Sequence, residues 1–422
     1  MVVDEVEPTG AMPPEHAPIP KGLGASAGPT EGSTVPTDGF VADPDGPAND
    51  GGSGSGGSGG GSRPGRGGPG RGRPGRGGLP RAARRWLVVA VAAVIVVLAG
   101  LLAWVESEAG AAAHPGPAVV IDVHPGDSLG SVAAQLASHG VISDAFAYRI
   151  WLQFHSAPNV QPGRYALDRG AGFGTATAVL AGGPNVFDLA LPAGFTVAEV
   201  AQRVGQLPGY DGATFEHVAT DGSVRSPYQP AGSTNLDGLL GTGTYRIMPP
   251  PPHVGQATLD RQLLTRMVDR FDTMAAGAGL VPGSAALGRS PYEVVTVGSI
   301  VQKEGVYQKN LGPVARVIYN RLARGMPLQM DSTVLYALHQ DGGTVTPADL
   351  QTPTPYNTYL NTGLTPTPIG LVSPQALQAA LHPPAGNWLF FVVVQRDGTE
   401  AFSSTYAGQL ANEALARQRG LG

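Results

Sequence analysis

The sequence predicts an α+β protein whose folded part follows a low-complexity tail and a single transmembrane helix. Two features of the chain lead to this prediction. Its 422 residues include 62 glycines and 39 prolines, and much of this excess lies in residues 1–85, which are therefore unsuited to a compact fold. From residue 118 onward, short strand-like runs alternate with stretches of helical periodicity, as in a mixed globular region.

Residues 1–85 are predicted to be a disordered tail. Its first part is acidic and proline-rich, residues 51–61 are a glycine–serine linker, and arginines spaced by glycine and proline follow. Such a composition cannot bury enough apolar surface to offset the entropy lost on folding. Some RNA-binding segments are similar, but this arginine cluster is local and the formal net charge of the chain is −5, so no nucleic-acid partner is predicted.

One uninterrupted apolar run, residues 86–105, is predicted to cross a membrane as a helix. About twenty helical residues, at about 1.5 Å each, span a hydrocarbon core of about 30 Å. Trp86 and Trp104 lie at its two ends, arginines precede it and two glutamates follow it. The positive-inside rule then places the tail in the cytoplasm and the rest of the chain outside the plasma membrane. A linker, residues 106–117, leads to the folded part.

Residues 118–183 are predicted to form a small α/β module. Residues 119–123 have the pattern of a strand, and apolar residues at helical spacing mark a helix over 128–139. A second helix is expected over 146–154, followed by a turn into a strand at 164–167. A short helix that ends at a pair of glycines completes the module.

Residues 184–422 are predicted to form a larger α+β domain. It opens with a strand at 187–191 and a helix at 196–204. Residues 209–252 are rich in glycine, serine, threonine and proline, so irregular and poorly packed loops are expected there. The other predicted elements are helices at 262–275, 290–304, 313–324 and 410–419 and strands at 388–394 and 400–403.

The most informative of these helices begins at Ser290. Ser290 is suited to cap it, a proline occupies its first position, and Glu293 stands where a capping box requires a glutamate. Projection at about 100° per residue places Glu304, near the end of the helix, in the middle of its apolar face. This pattern singles out Glu304 as a carboxyl group in an apolar setting.

A carboxyl group on an apolar helix face is costly to ionise. Desolvation raises its pKa, so Glu304 is expected to stay protonated near neutral pH, as a general acid must. The alternative is a structural glutamate at the edge of the face, solvated or paired with Arg316 or Arg321 of the next helix, whose arginines are expected to form a solvated surface. Glu293 lies on the same face, but the capping box already explains it.

Four other polar residues, Asp331, Tyr356, Asn357 and Tyr359, have a chemical interpretation. Asp331 precedes a short apolar run, which favours a helix cap over a catalytic group. Tyr356, Asn357 and Tyr359 lie in a loop rich in proline and threonine. Phenol and amide groups on such a loop suit hydrogen bonding to sugars and stacking on them, although ordinary turn residues have a similar composition.

The sequence gives no indication of a cofactor or a metal ion. It has no cysteine, which excludes a thiol nucleophile and cysteine-ligated zinc, and its nine histidines lack metal-binding spacing. No GxSxG elbow or phosphate-binding loop is present, so serine hydrolase and ATPase chemistry are not supported. The expectation is a cofactor-free, metal-free protein.

Several ordered motifs connect the chain to a known family. They are SIVQKE at 299–304, VIYNRL at 317–322, LQMDSTVLY at 328–336, TPYNTY at 354–359 and AALHP at 379–383. In this order and spacing the chain resembles the endolytic murein transglycosylases, the MltG or YceG-like family, over residues 119–417.

The resemblance implies a LysM-like module at 118–183, a YceG-like catalytic domain at 184–422, and Glu304 as the catalytic glutamate. The implied partners are peptidoglycan glycan strands, the cell membrane and the peptidoglycan synthases. The implied reaction is lytic: Glu304 protonates the MurNAc–GlcNAc glycosidic oxygen and then accepts a proton from the MurNAc C6 hydroxyl, which closes a 1,6-anhydro ring. Nascent strands would thereby be terminated or trimmed. The residues that would line the glycan cleft are Asp331, Tyr356, Asn357 and Tyr359.

The chain also departs from the family pattern, and two further functions stay open. The departures are Gln302, Gly305, residues 241–243, Glu400 and Gln409, the last two standing where the family has histidines. One alternative is a peptidoglycan-binding scaffold of the cell-wall synthesis machinery with a weak or inactive catalytic domain. The other is a water-using muramidase, in which Asp331 would be the second carboxylate.

Overall fold

The computed structural model describes four stretches of the chain, residues 81–112, 114–250, 254–305 and 307–421. The tail predicted for residues 1–85 lies outside them up to residue 80. Residues from Arg81 instead belong to a helix that continues to Ala109, so the predicted span is extended at both ends by charged turns. Over Ala82–Ala109 this helix is long and apolar enough to cross a membrane, and it indicates a membrane anchor.

The described chain mixes helices with small antiparallel sheets, which confirms the predicted combination of helix and strand. Six strands pair as three separate two-stranded sheets, β1 with β2, β3 with β4 and β5 with β6. The strands are β1 (Ala118–Val123), β2 (Gly163–Asp168), β3 (Phe187–Leu191), β4 (Gly243–Ile247), β5 (Phe390–Val393) and β6 (Glu400–Ser403). The helices are α1 (Arg81–Ala109), α2 (Leu129–Ser138), α3 (Ala145–Phe154), α4 (Gly172–Ala181), α5 (Val197–Val204), α6 (Gly212–Thr220), α7 (Gln256–Gly277), α8 (Leu280–Ala286), α9 (Pro291–Glu304), α10 (Gln308–Ala323), α11 (Asp331–Ala337), α12 (Pro374–Leu381) and α13 (Tyr406–Gln418).

The predicted elements of the small α/β module are all present, because local signals specify them. Ser128 caps α2 by accepting a hydrogen bond from the Ser131 amide, and an aspartate caps α3 in the same way. Strands β1 and β2 pair with Ile121 opposite Tyr165, and both side chains are buried. Tyr148 and Phe173 complete this core with an edge-on ring contact.

The prediction of irregular, poorly packed loops over residues 209–252 was wrong. Helix α6 lies in this segment, and its Phe215 is fully buried. Strand β4 also lies there and pairs with β3, with Tyr245 opposite Leu189. Glycine permits this order, because Gly238 has a φ of 76° and a side chain at that position would collide with Pro368. The leucines of the segment, Leu236, Leu239 and Leu240, are all buried.

Three predicted helices begin earlier than expected. Helix α7 starts at Gln256, α13 at Tyr406 and α10 at Gln308, whereas the sequence predicts Pro313 as the first residue of α10. Pro313 lacks an amide hydrogen and so removes one hydrogen bond near the start of α10. The helix continues through it because its apolar face, including Val314 and Ile318, is fully buried.

Helix α9 lies in the main hydrophobic core and contacts α8, α10, α11 and α12. Its residues Val294, Val297, Ile300 and Val301 have no exposed surface. Close packing on so many sides leaves little room for the helix to shift. The end of α9, where Glu304 lies, is therefore held in a defined position.

Candidate active site

Glu304 is the last residue of α9, a helix whose start is fixed as the sequence predicts. The Glu293 amide donates to the Ser290 hydroxyl over 3.2 Å, and the Ser290 amide donates to the Glu293 carboxylate over 2.8 Å. This reciprocal pair is a complete capping box. It explains Glu293 as a structural residue and leaves Glu304 as the carboxyl group at the opposite end.

The Glu304 side chain is half-buried and is held by a neighbouring helix. Its Oε1 accepts a hydrogen bond of 3.2 Å from the backbone amide of Ser332, near the start of α11. Within the described chain no ion pair joins Glu304 to an arginine, so the alternative pairing with Arg316 or Arg321 was wrong. The Ser332 amide, which orients the carboxyl group, has no side-chain signal in the sequence.

Arg316 and Arg321 instead stabilise the backbone around the site by donating hydrogen bonds to carbonyl oxygens. Arg321 is buried, and it donates to the carbonyl oxygens of Leu389, Pro327 and Leu328 over 2.7 to 3.0 Å. Arg316 donates to backbone carbonyls that follow α12. The expectation of a solvated arginine face on α10 was therefore wrong for these two residues, since buried carbonyl groups require donors.

Asp331 and Tyr359 form a hydrogen-bonded pair beside Glu304. The Tyr359 hydroxyl donates to Asp331 Oδ1 over 2.6 Å. Asp331 is the first residue inside α11, and the cap position belongs to Met330, so the helix-cap interpretation of Asp331 was wrong. Burial, the hydrogen bond to Asp331 and the negative charges of Asp331 and Glu304 together raise the pKa of Tyr359. Tyr359 is thus an uncharged hydrogen-bond donor next to two carboxyl groups.

Tyr356 and Asn357 shape the loop that carries Tyr359. Asn357 is fully buried, and its amide group donates to two backbone carbonyls of the same loop. Its Oδ1 accepts from the Tyr359 amide over 3.0 Å. The Tyr356 hydroxyl pairs with Thr367 Oγ1 at 2.9 Å, and its ring centre lies 4.9 Å from that of Tyr336. The structure therefore brings Asp331 and Tyr359 next to Glu304, while Tyr356 and Asn357 make contacts within the scaffold.

A buried network that the sequence analysis missed attaches α11 to the rest of the domain. The Tyr336 hydroxyl donates to Asp237 Oδ2 over 2.6 Å, although the two residues are 99 positions apart. Asp237 also accepts from the Val197 amide and from the Asn235 side chain. Burial raises the pKa of Asp237 despite these donors. No local pattern relates such distant residues.

Glu400, which the sequence singled out only as a departure from the family pattern, is a half-buried carboxyl group. It begins β6, opposite Val393. Among the described residues, its Oε2 atom is buried without a hydrogen-bond partner. Burial, and then the negative charge of Glu304, raise the pKa of Glu400 to about 7. The only signal in the sequence was a glutamate at a position where the family has histidine.

No candidate metal centre stands out among residues 81–112, 114–250, 254–305 and 307–421, where no cluster of three or more histidine or acidic side chains has suitable geometry. The arrangement offers protonatable carboxyl groups and phenol donors. Such groups are suited to general acid–base chemistry on a polar substrate.

Comparison with known proteins places this arrangement in a family. The model of the YceG-like family matches residues 121–414. A Bacillus subtilis (strain 168) protein named endolytic murein transglycosylase is 26% identical over 307 residues, 68% of this chain and 81% of the relative. A Streptococcus pneumoniae serotype 2 protein of the same name is 24% identical over 311 residues, 66% of this chain, which spans only 55% of that relative. A solved YceG-like protein from Listeria monocytogenes is 25% identical, with a TM-score of 0.48, 70% coverage of this chain and 98% of the other. The chain belongs to the YceG-like family.

Proposed function

We propose that this chain is a membrane-anchored lytic transglycosylase that cleaves the bond between MurNAc and GlcNAc in peptidoglycan. The observation that carries the proposal is the position of Glu304, at the fixed end of α9 and oriented by the Ser332 amide. The relatives named endolytic murein transglycosylase support the same class of substrate.

Glu304 acts first as the acid and then as the base of the reaction. As the C1–oxygen bond breaks, its carboxyl group gives a proton to the leaving glycosidic oxygen. The resulting carboxylate then accepts the proton of the C6 hydroxyl, whose oxygen bonds to C1 and closes the 1,6-anhydro ring. The proton lost in the first step returns in the second, so water is not consumed and one carboxyl group is sufficient.

The loop and helix around Glu304 would hold the sugar. Asp331 and the Tyr359 phenol oxygen supply acceptors for sugar hydroxyls on the same side of the site, because the Tyr359 hydrogen is already donated to Asp331. Tyr356 and Asn357 contribute by keeping the loop in shape, since their polar groups already bond within it or to Thr367. In this view Asp331 and Tyr359 contact the sugar, and Tyr356 and Asn357 stabilise the loop that lines the glycan cleft.

The proposed topology places the tail in the cytoplasm and the folded part outside the membrane. The arginines before the apolar run and the glutamates after it support this orientation. The module over residues 118–183 would act as a LysM-like peptidoglycan-binding unit. A catalytic site tethered near the membrane surface suits nascent strands, and peptidoglycan synthases would then be neighbouring partners.

The proposal is tested by mass spectrometry of the muropeptides released from purified peptidoglycan by the full chain in detergent. The wild type should release 1,6-anhydro products. The Glu304→Gln variant should release none, because glutamine has the same side-chain shape as glutamate but no acidic proton to transfer. Glu216→Gln on the exposed face of α6 is the matched control and should behave as the wild type. Full activity of the Glu304→Gln variant would refute the role of Glu304.

The water-using muramidase is a second candidate, because Asp331 provides a further carboxyl group beside Tyr359. Products with a reducing end would identify this reaction. Binding to peptidoglycan without any released product, from a folded chain, would instead favour the scaffold.

A further inference from the structure

The small α/β module packs directly against the end of the membrane helix α1. Val105, the last residue of the predicted span, is only 1% exposed and belongs to the hydrophobic core of the module, together with Tyr148 and Phe173. Ala109, one turn further along α1, packs against the same core. The core of the module therefore starts at the residue where the apolar run ends.

The segment predicted as a linker, residues 106–117, contacts the module beyond the end of α1. The Ala112 amide donates to the Gly170 carbonyl over 2.7 Å, and the Gly116 amide donates to the Arg169 carbonyl over 2.8 Å. Backbone hydrogen bonds at two points restrict the motion of a segment more than a free tether would be restricted. The module is therefore held close to the end of α1.

Helix α3 begins beside the last turn of α1. The Ser143 hydroxyl donates to the Glu108 carbonyl over 3.0 Å, and Asp144, the next residue, caps α3. Glu108 follows Val105 by three residues, which is about 4.5 Å along a helix. Helix α3 therefore begins close to the level at which the predicted membrane span ends.

The outer face of α3 is apolar and exposed. Phe146 and Phe154 are 59% and 67% exposed, and the half-buried Ile150 lies between them. At four-residue spacing the three side chains form one stripe about 12 Å long, here called the α3 stripe. The opposite face of the helix is buried in the core of the module. Two large aromatic side chains so exposed on one stripe indicate a contact surface.

The composition of α3 suits a lipid surface. Aromatic side chains favour the boundary between lipid headgroups and acyl chains, and basic side chains are attracted to anionic headgroups. Arg149 is exposed and is the one charged residue in α3, so the helix carries no acidic side chain that anionic lipids would repel. Both the position and the chemistry of the α3 stripe therefore favour lipid as its partner.

We propose that the α3 stripe docks on the surface of the membrane that α1 crosses, as a second contact between the chain and the bilayer. The rings of Phe146 and Phe154 insert at the level of the headgroups, and Arg149 pairs with anionic lipid. This contact limits rotation of the module about α1 and sets its height above the membrane. The docking depends on α1 as the membrane anchor and is independent of the reaction proposed above.

Site-directed spin labelling of the full chain in phosphatidylglycerol–phosphatidylcholine vesicles tests this docking. The chain has no cysteine, so Phe146→Cys and Phe154→Cys each provide a single attachment site for the label. Oxygen concentrates in the bilayer and a nickel chelate stays in water, so the ratio of their collision rates with the label measures lipid contact. This ratio should be several-fold higher at both positions than for Glu216→Cys, the exposed control on α6. Ratios equal to that of the control would overturn the proposal.

A second set of variants tests whether the rings themselves make the contact. The label is attached at Ile150→Cys, and Phe146→Ser combined with Phe154→Ser removes both rings. The ratio at residue 150 should then fall to its value in water, whereas Val281→Ser, which removes an exposed apolar side chain from α8, should leave it unchanged. The urea midpoint of the double serine variant should match the wild type, because both rings are exposed. An unchanged ratio at residue 150 in that variant would overturn the proposal.

The vesicles contain no peptidoglycan and no other protein, so only lipid can raise the ratio in these experiments. Glycan is the competing partner, since aromatic rings also stack on sugars. If the label at Phe154→Cys shows no lipid contact but is immobilised by added glycan strands, the α3 stripe binds glycan and the assignment to lipid is wrong.

Discussion

Replacement of Arg321 by methionine should destabilise the larger domain severely. The guanidinium group supplies the donors for the carbonyl oxygens of Leu389, Pro327 and Leu328, and it also bonds to Gln329 Oε1 at 3.0 Å. Methionine replaces the aliphatic stem of the side chain but has no donor. Each buried carbonyl that loses its partner costs about 1–3 kcal/mol, and removal of the buried charge offsets part of this. We therefore expect a loss of about 3–5 kcal/mol, a large share of a typical stability of about 5–15 kcal/mol.

Urea denaturation of the full chain in detergent, followed by circular dichroism, measures this loss. Arg324→Met is the matched control, because Arg324 is the C-cap residue of the same helix and is exposed. Its effect should stay within about 0.5 kcal/mol. Arg321→Lys should be intermediate, since an ammonium group cannot reproduce the fork of donors. Equal stability of the Arg321→Met and Arg324→Met variants would refute the view that the hydrogen bonds of Arg321 stabilise the backbone around the site.

Two further predictions concern local features. Ser290→Ala should destabilise the protein by about 1 kcal/mol. Ser290→Gly should cost only a few tenths of a kcal/mol, because glycine also tolerates the cap position of a helix. Equal losses of stability for the two variants in the same denaturation experiment would contradict the capping role of Ser290. Burial raises the pKa of Asp260 to about 6, so the native chain retains a proton that the unfolded chain, with a pKa of about 4, releases at lower pH. Relative to Asp260→Asn, the wild type should therefore lose stability as the pH rises from about 4 to about 6, and parallel urea midpoints across this range would contradict it.

Local signals in the sequence were sufficient for much of the fold and for one site residue. The capping box and the apolar periodicity of α9 place Glu304 without knowledge of any neighbour. Long-range contacts explain the failures. The segment 209–252 is ordered by pairing with β3 and by burial of its leucines, and Tyr336 meets Asp237 across 99 residues. Composition and periodicity carry no information about such partners.

The distribution of the site along the chain has a consequence for its synthesis. Glu304 and Ser332 come from the middle of the larger domain, whereas Glu400 and the hairpin that carries it come near the C-terminal end. Chains are made from the N-terminus, and contacts between distant segments form only after both have emerged. A prematurely terminated chain would therefore contain Glu304 without the β5–β6 hairpin, which packs on α10. Any activity that needs the assembled domain should therefore appear only after this hairpin has been made.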